Sequence, residues 1–186
     1  DISERKHFEE ALRQSEILYR TIFETTGTAM MIFDKDLMIS LVNSEFEKLF
    51  GYSKEEIENK MKWPVLVQPD DRIRMIEYHR RRRIDPALAP SHYEFRPLDK
   101  EQKAKDIFIT VNLIPGTSDS VVSFMDITER KRAEAQVKYL SFNDKLTGLY
   151  NRAFFEEELS RLDTERQLPL SLIMGDVNGL KLINDA

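Results

Sequence analysis

The chain has 186 residues, enough for one domain and part of a second. Charged residues make up 33% and hydrophobic ones 41%, and 28 basic against 33 acidic residues leave a net charge of -5, which argues against bulk nucleic-acid binding. There is no cysteine, so disulfides, thiolate metal sites and cysteine nucleophiles are excluded, and no apolar run approaches the ~18 residues of a membrane helix.

Residues 3–25 predict a helix, with Phe8, Ala11, Ser15, Leu18 and Ile22 on a heptad-like seam widened by Leu12 and Tyr19. Such a stripe suits either a helix covering its own domain or one arm of a parallel dimer. Residues 28–34 read as a strand that ends in an Asp-Lys-Asp turn, and 38–42 as a second strand. Asn43 is placed to cap a helix carrying Phe46, Leu49 and Phe50, and Gly51 to end it. Ser53 and Glu56 form a capping box for another helix. Pro69-Asp70-Asp71 opens a longer helix that closes on Arg80 to Arg83, acid first and base last as the helix dipole favours. That basic run reads as a solvated helix end in preference to a phosphate contact. Three strands follow at 92–98, 107–114 and 121–126, the second alternating through Ile107, Ile109, Val111 and Leu113. A charged helix over 128–140 then carries Ala133, Val137 and Leu140 on one stripe.

This order of two strands, short helices, a longer helix, three strands and an exit helix resembles the PAS-domain plan. The stretch Asn43 to Glu56, Trp63 with Gln68 to Asp71, and Asp126-Ile127-Thr128-Glu129-Arg130 carry the resemblance over roughly 14–132. The turn at Asp99 to Gln102 lacks the usual Asp-Gly, so a longer or bulged hairpin is expected there. The resemblance implies an α+β fold, a five-stranded antiparallel sheet with flanking helices, enclosing a pocket. Pocket candidates are Met30, Ile32, Leu41, Phe46, Phe50, Ile57, Trp63, Ile109, Val111, Val122 and Phe124, which equally serve as core. Asn43 and Asn112 are possible polar anchors.

The pocket's small-molecule ligand is not readable from the residues. A cysteinyl-flavin adduct is excluded by the absence of cysteine. Haem is disfavoured, since His79 is expected in solvent, His92 is expected to point outward, and Asp85-Pro86 is followed by alanine.

The last quarter opens on Asp144-Lys-Leu-Thr-Gly-Leu-Tyr-Asn-Arg152 and continues through Leu168-Pro-Leu-Ser-Leu-Ile-Met-Gly-Asp176-Val-Asn178-Gly179-Leu180-Lys181-Leu-Ile-Asn184-Asp185. These blocks resemble the start of the GGDEF family, the diguanylate cyclases. Residues 169–174 read as an apolar strand that leaves Asp176 at its carboxyl end, where ligands bind in open sheets and where a hard oxygen suits Mg²⁺. Asn178, Gly179 and Leu180 can turn amides toward phosphates, Lys181 supplies a cation, and Asn184 suits a guanine edge. The resemblance assigns Asp176 to metal, Lys181 to phosphate and Asn184 to base. Asn178 and Leu180 depart from the commoner Asp and Phe.

The expected organisation is a helix over 1–25, a PAS sensor over 26–127, a signalling helix over 128–143 and the first part of a GGDEF domain, an incomplete α/β segment, over 144–186. Signal transmission is expected through Asp126, Thr128, Asp144 and Arg152, with Asp144 pairing Arg152 across its turn. The resemblance implies a homodimeric, bacterial-type signalling protein that condenses two GTP into cyclic di-GMP with Mg²⁺, and the alternative is a non-catalytic receptor or dimerisation module with a degenerate GGDEF domain. Both ends read as cuts in a longer cytoplasmic protein, with an upstream anchor possible, and no catalytic set is complete. The residues after about 144 are expected to pack poorly or to pair between chains.

Overall fold

A computed structural model describes residues 2–164 and 168–175. The chain divides into two compact units, Asp1–Arg132 and Ala133–Ala186.

The first unit begins with helix α1 (Ile2–Thr25), then strands β1 (Ala29–Phe33) and β2 (Ile39–Val42). Helices α2 (Ser44–Phe50), α3 (Lys54–Ile57) and α4 (Pro69–Ile84) lead to strands β3 (His92–Phe95), β4 (Ile107–Leu113) and β5 (Ser120–Asp126). The sheet is antiparallel throughout, in the order β2-β1-β5-β4-β3. The first and last strands of the chain's sheet segment, β1 and β5, therefore lie side by side at its centre. Met31 pairs with Val122, and Ile109 with Phe124.

Local chemistry explains the turns. The Asn43 carboxamide oxygen accepts from Phe46 N at the start of α2, and Gly51 ends that helix at φ 78°, where a side chain would be strained. Glu56 reaches back to the Ser53 N–H at 2.9 Å, closing the capping box. Asp99 accepts from the amides of Glu101 and Lys103, both at 2.9 Å, and builds the irregular connection before β4. The strand expected over 92–98 accordingly stops at Phe95, beyond which only isolated bridges form.

One face of the sheet packs on α2, α3 and α4. Its core includes Met31, Phe33, Phe46, Phe50, Ile107, Ile109, Val111, Val122 and Phe124. Phe46 stacks on Phe50 with ring centroids 4.4 Å apart, and Phe124 meets both edge-on.

The strand parity of β1 differs from the expectation. Met30, Ile32 and Leu41, expected to face the pocket, lie on the opposite side of the sheet, beside Tyr19, Ile22 and Phe23 of α1. Ala29, Met31 and Phe33 are the buried residues of β1, and Ile39 and Val42 those of β2. The run Ala-Met-Met-Ile-Phe is apolar at every position, so it holds no alternation to choose between faces, and a one-residue shift exchanges them all. A register irregularity between Ile32 and Phe33 further turns β2 relative to β1.

The second unit holds most of helix α5 (Thr128–Phe142) and helix α6 (Arg152–Leu162). Residues 168–175 are exposed and form no strand, contrary to the strand expected over 169–174. An extended segment becomes a strand only by pairing, and no described segment pairs with it.

Candidate functional site

The inner face of the sheet and α4 enclose a cavity of about 30 Å³. Its wall comprises Met31, Phe33, Phe50, Trp63, Leu66, Val67, Met75, His79, Arg82, Tyr93, Phe95, Ile109, Val111, Val122 and Phe124. Three of these, Met75, His79 and Arg82, are the buried residues of α4. Their spacing of four and then three puts them on one helical stripe.

His79 is buried, contrary to the expectation that it is solvated. Its Nε2 lies 3.0 Å from the Lys35 carbonyl oxygen, which can only accept, so Nε2 carries the proton. Nδ1 is then left to accept from Arg83 Nη1 at 3.3 Å. Burial holds the imidazole below its ordinary pKa, and the neighbouring arginines push in the same direction. With both nitrogens engaged, axial ligation would require breaking one of these bonds. Arg82, expected in a solvated run, is 4% exposed. Its guanidinium donates to the Pro90 carbonyl, and Tyr93 lines the same cavity. Burial pushes the Tyr93 phenol up to about 12.

The polar groups of the wall thus went unseen in the sequence. The readable signal was the Met75, His79, Arg82 stripe, hidden by the arginines on either side of Arg82.

The exit from the sheet is tied at several points. Asp126 Oδ1 accepts from Thr128 N at 2.9 Å, and Thr128 Oγ1 accepts from Asp106 N at 2.9 Å. Ile127 N donates to Asp106 O at 2.9 Å. Lys131 stands 2.7 Å from Glu94 and 3.2 Å from Asp106. Burial raises the Asp106 carboxyl, but hydrogen bonds from Lys131 and Arg96 outweigh it and hold the group below its ordinary value.

In the second unit, Asp144 does not pair with Arg152 as expected. Its Oδ1 accepts from Thr147 N at 2.9 Å and Thr147 Oγ1 at 2.7 Å, and these bonds lower its pKa. Arg152 pairs with Glu156, one helical turn on, at 2.7 Å. A carboxylate three residues before its donors is already satisfied within the turn, and a helix neighbour is always in reach of Arg152. Gly148 sits in this turn at φ 73°, and Asn151 caps α6 by accepting from Phe154 N at 3.1 Å.

Residues 17–92 match the family model described as PAS fold, and residues 141–186 match the one described as diguanylate cyclase, GGDEF domain. A stretch that matches the PAS fold is thus followed by one that matches part of a GGDEF domain. The PAS domain of a protein from Colwellia psychrerythraea superposes with a TM-score of 0.54 at 22% identity, covering 64% of this chain and 99% of that one. Two curated relatives align along the whole chain. The uncharacterized protein y4lL of Sinorhizobium fredii is 28% identical over 202 positions, and the probable diguanylate cyclase DgcE of Escherichia coli is 26% identical over 198. The chain spans only 24% of the first and 17% of the second.

Of the expected pocket residues, Phe50, Trp63, Ile109, Val111, Val122 and Phe124 line the PAS cavity. Phe46 and Ile57 are fully buried in the core beside it. Asn43 is a buried cap, and Asn112 is exposed on β4. In the GGDEF segment, Asp176, Asn178, Gly179, Leu180, Lys181 and Asn184 lie outside the described residues. Among the described residues no three His, Asp or Glu side chains gather as for a metal ion, and no helix is long and apolar enough to cross a membrane.

Proposed function

We propose that this chain is the sensing and transmitting region of a diguanylate cyclase, a protein that joins two GTP molecules into cyclic di-GMP. The observation that carries the reading is continuity. The PAS strand β5 runs through Asp126 and Thr128 into α5, and the GGDEF match begins at residue 141 in the last turn of α5, just before the Asp144–Asn151 turn. We assign 1–25 to an N-terminal helix, 26–127 to the sensor, 128–143 to the transmitting helix and 144–186 to the output segment.

In the output segment, Asp176 would supply a carboxylate to Mg²⁺, and the ion would neutralise phosphate charge on GTP. Asn178, Gly179 and Leu180 would offer backbone amides to phosphate, Lys181 a cation, and Asn184 an edge complementary to guanine. Condensation of two nucleotides needs two such segments facing each other, so the protein acts as a homodimer. The exposed apolar stripe of α1, with Phe8 and Leu12 more than 70% exposed, suits that pairing.

The test is cyclic di-GMP formation from GTP and Mg²⁺ by the longer protein that contains this chain. Activity that is lost in Asp176→Ala and altered by inserting residues into α5 supports the reading. Absence of product with GTP still bound would favour the alternative, a non-catalytic receptor; the departures at Asn178 and Leu180 leave the Asp176 carboxylate in place and are compatible with activity.

A further inference from the structure

The end of α4 is fastened to two turns of the sheet through His79 and Arg83. Arg83 Nη2 donates to the Ser118 carbonyl at 2.7 Å, and its Nη1 lies 3.3 Å from both Ser120 Oγ and His79 Nδ1. His79 Nε2 donates to the Lys35 carbonyl at 3.0 Å. Lys35 belongs to the turn between β1 and β2, and Ser118 to the turn between β4 and β5. Ser120 opens β5, is 1% exposed, and pairs with Phe33 of β1 and Leu113 of β4. The strand it opens is the one that runs to Asp126, where α5 departs. Arg83 is not fully satisfied in this position, since its buried Nε has no partner among the described residues.

These bonds tolerate one protonation state of the ring. The neutral tautomer gives a proton to Lys35 O and accepts one from Arg83. A second proton, on Nδ1, would set N–H against N–H and cation against cation at the same 3.3 Å. No element around the ring relieves this. On α4, Arg80, Arg82 and Arg83 all oppose a charge on the ring. The β1–β2 turn presents the neutral Lys35 carbonyl, and the rings of Phe33 and Trp63 lie 5.6 and 6.4 Å away. The carboxylates of Asp34 and Asp36 in that turn, and of Asp119 in the β4–β5 turn, act on Arg83 and can receive its guanidinium once it is displaced. We propose that His79 and Arg83 form an acid-opened latch, in which protonation of His79 drives Arg83 off Ser118 and Ser120 and frees the β4–β5 turn while the sheet stays folded. Opening deprives the buried Ser120 hydroxyl of its Arg83 donor, so the disturbance falls on β5. The signalling consequence rests on the sensor reading above, whereas the latch itself does not.

The test is amide hydrogen exchange of the chain, resolved by NMR between about pH 7.5 and about pH 5 and corrected for the intrinsic pH dependence of exchange. The probes are the amides of Ile114, bonded to Asp119 O, and of Asp119, bonded to Thr117 Oγ1. Their protection is expected to fall about tenfold toward acid, the change linked to a rise of about one unit in the ring's pKa on opening. Half of the change should come at the pH where the His79 ring itself titrates. The Gln102 amide, bonded to Asp99 O in another turn, is expected to hold its protection. His79→Gln keeps a donor for Lys35 O and cannot titrate, so it is expected to flatten the response at Ile114 and Asp119. Where that variant does not fold, Arg83→Gln removes the cation that faces Nδ1, and the NMR titration of His79 is expected to move up by ~0.5 unit or more. Loss of protection that does not follow the His79 titration, equal loss at Gln102, an acid response that persists in His79→Gln, or an unmoved ring titration in Arg83→Gln would each overturn the proposal. Cyclic di-GMP formation by the longer protein is measured separately, so either reading can fail without the other.

Discussion

Thr128 Oγ1 accepts a hydrogen bond from the backbone N–H of Asp106 at 2.9 Å. The contact joins the first residue of α5 to the residue that precedes β4 and fixes where the helix leaves the sheet. Ile127 N, bonded to Asp106 O, and Lys131, paired with Asp106 and Glu94, reinforce the same corner. A ligand-dependent change in the cavity, whose wall includes Ile109 and Val111 of β4, has a short route to α5 through this corner.

Thr128→Val keeps the shape of the side chain and removes the acceptor. It is expected to cost about 1–2 kcal/mol, the penalty of leaving a partly buried amide unpaired. Thr128→Ser, which retains the hydroxyl, is expected to cost less. Thermal unfolding measures the difference, and faster hydrogen exchange at the Asp106 amide locates it.

Asn43 makes four hydrogen bonds from one buried carboxamide. Its oxygen accepts from Met30 N at 2.8 Å and Phe46 N at 3.0 Å, and its nitrogen donates to Phe23 O at 2.9 Å and Thr28 O at 2.8 Å. The residue therefore joins the end of α1, β1 and α2. Asn43→Ala is expected to cost about 3 kcal/mol, since it loses a cap and leaves several buried groups unpaired. Asn43→Asp keeps the acceptor but sets a carboxylate against two carbonyl oxygens, so it is expected to destabilise as well. Denaturant midpoints of both variants check this.

The two faces of β1 are expected to respond differently. Met31 is 4% exposed and touches the cavity, so Met31→Ala is expected to cost about 2–5 kcal/mol. Ile32 faces the other side, beside α1, and Ile32→Ala is expected to cost less than about 1 kcal/mol in the monomer. Equal losses would place both residues in one core and contradict the observed parity. Urea unfolding at low protein concentration separates this from any effect on dimerisation.

That parity also marks how far the sequence could be read. Caps and turns were legible because single residues with specific chemistry dictate them, as at Asn43, Gly51 and Ser53. The faces of β4 were legible because Ile107, Ile109 and Val111 alternate with polar or less buried positions. In β1 every residue is apolar, and only its neighbours decide which side is inner. The cavity's polar groups were hidden for a related reason. His79 and Arg82 sit in a basic run that reads as surface, and only the packing of α4 on the sheet shows which of its charges turn inward. The Asp144 turn was located correctly but wired differently, because side-chain hydrogen bonds within three residues outcompete a longer-range pair.

His79 makes stability depend on pH in a definite direction. Its folded pKa lies below the ordinary 6.5, from burial first and from Arg83, Arg82 and Arg80 besides. The unfolded chain therefore takes up a proton near 6.5 while the folded chain still holds the neutral ring. The contribution is fully present above that value and is lost progressively as pH falls from 6.5 toward the folded pKa. Urea midpoints taken between about pH 7.5 and about pH 5 are expected to fall on the acid side. His79→Leu removes the titrating group and is expected to flatten this slope relative to the parent, even though losing the Lys35 contact lowers stability at every pH. Parallel slopes for parent and variant would mean that carboxylates, not His79, set the acid limb.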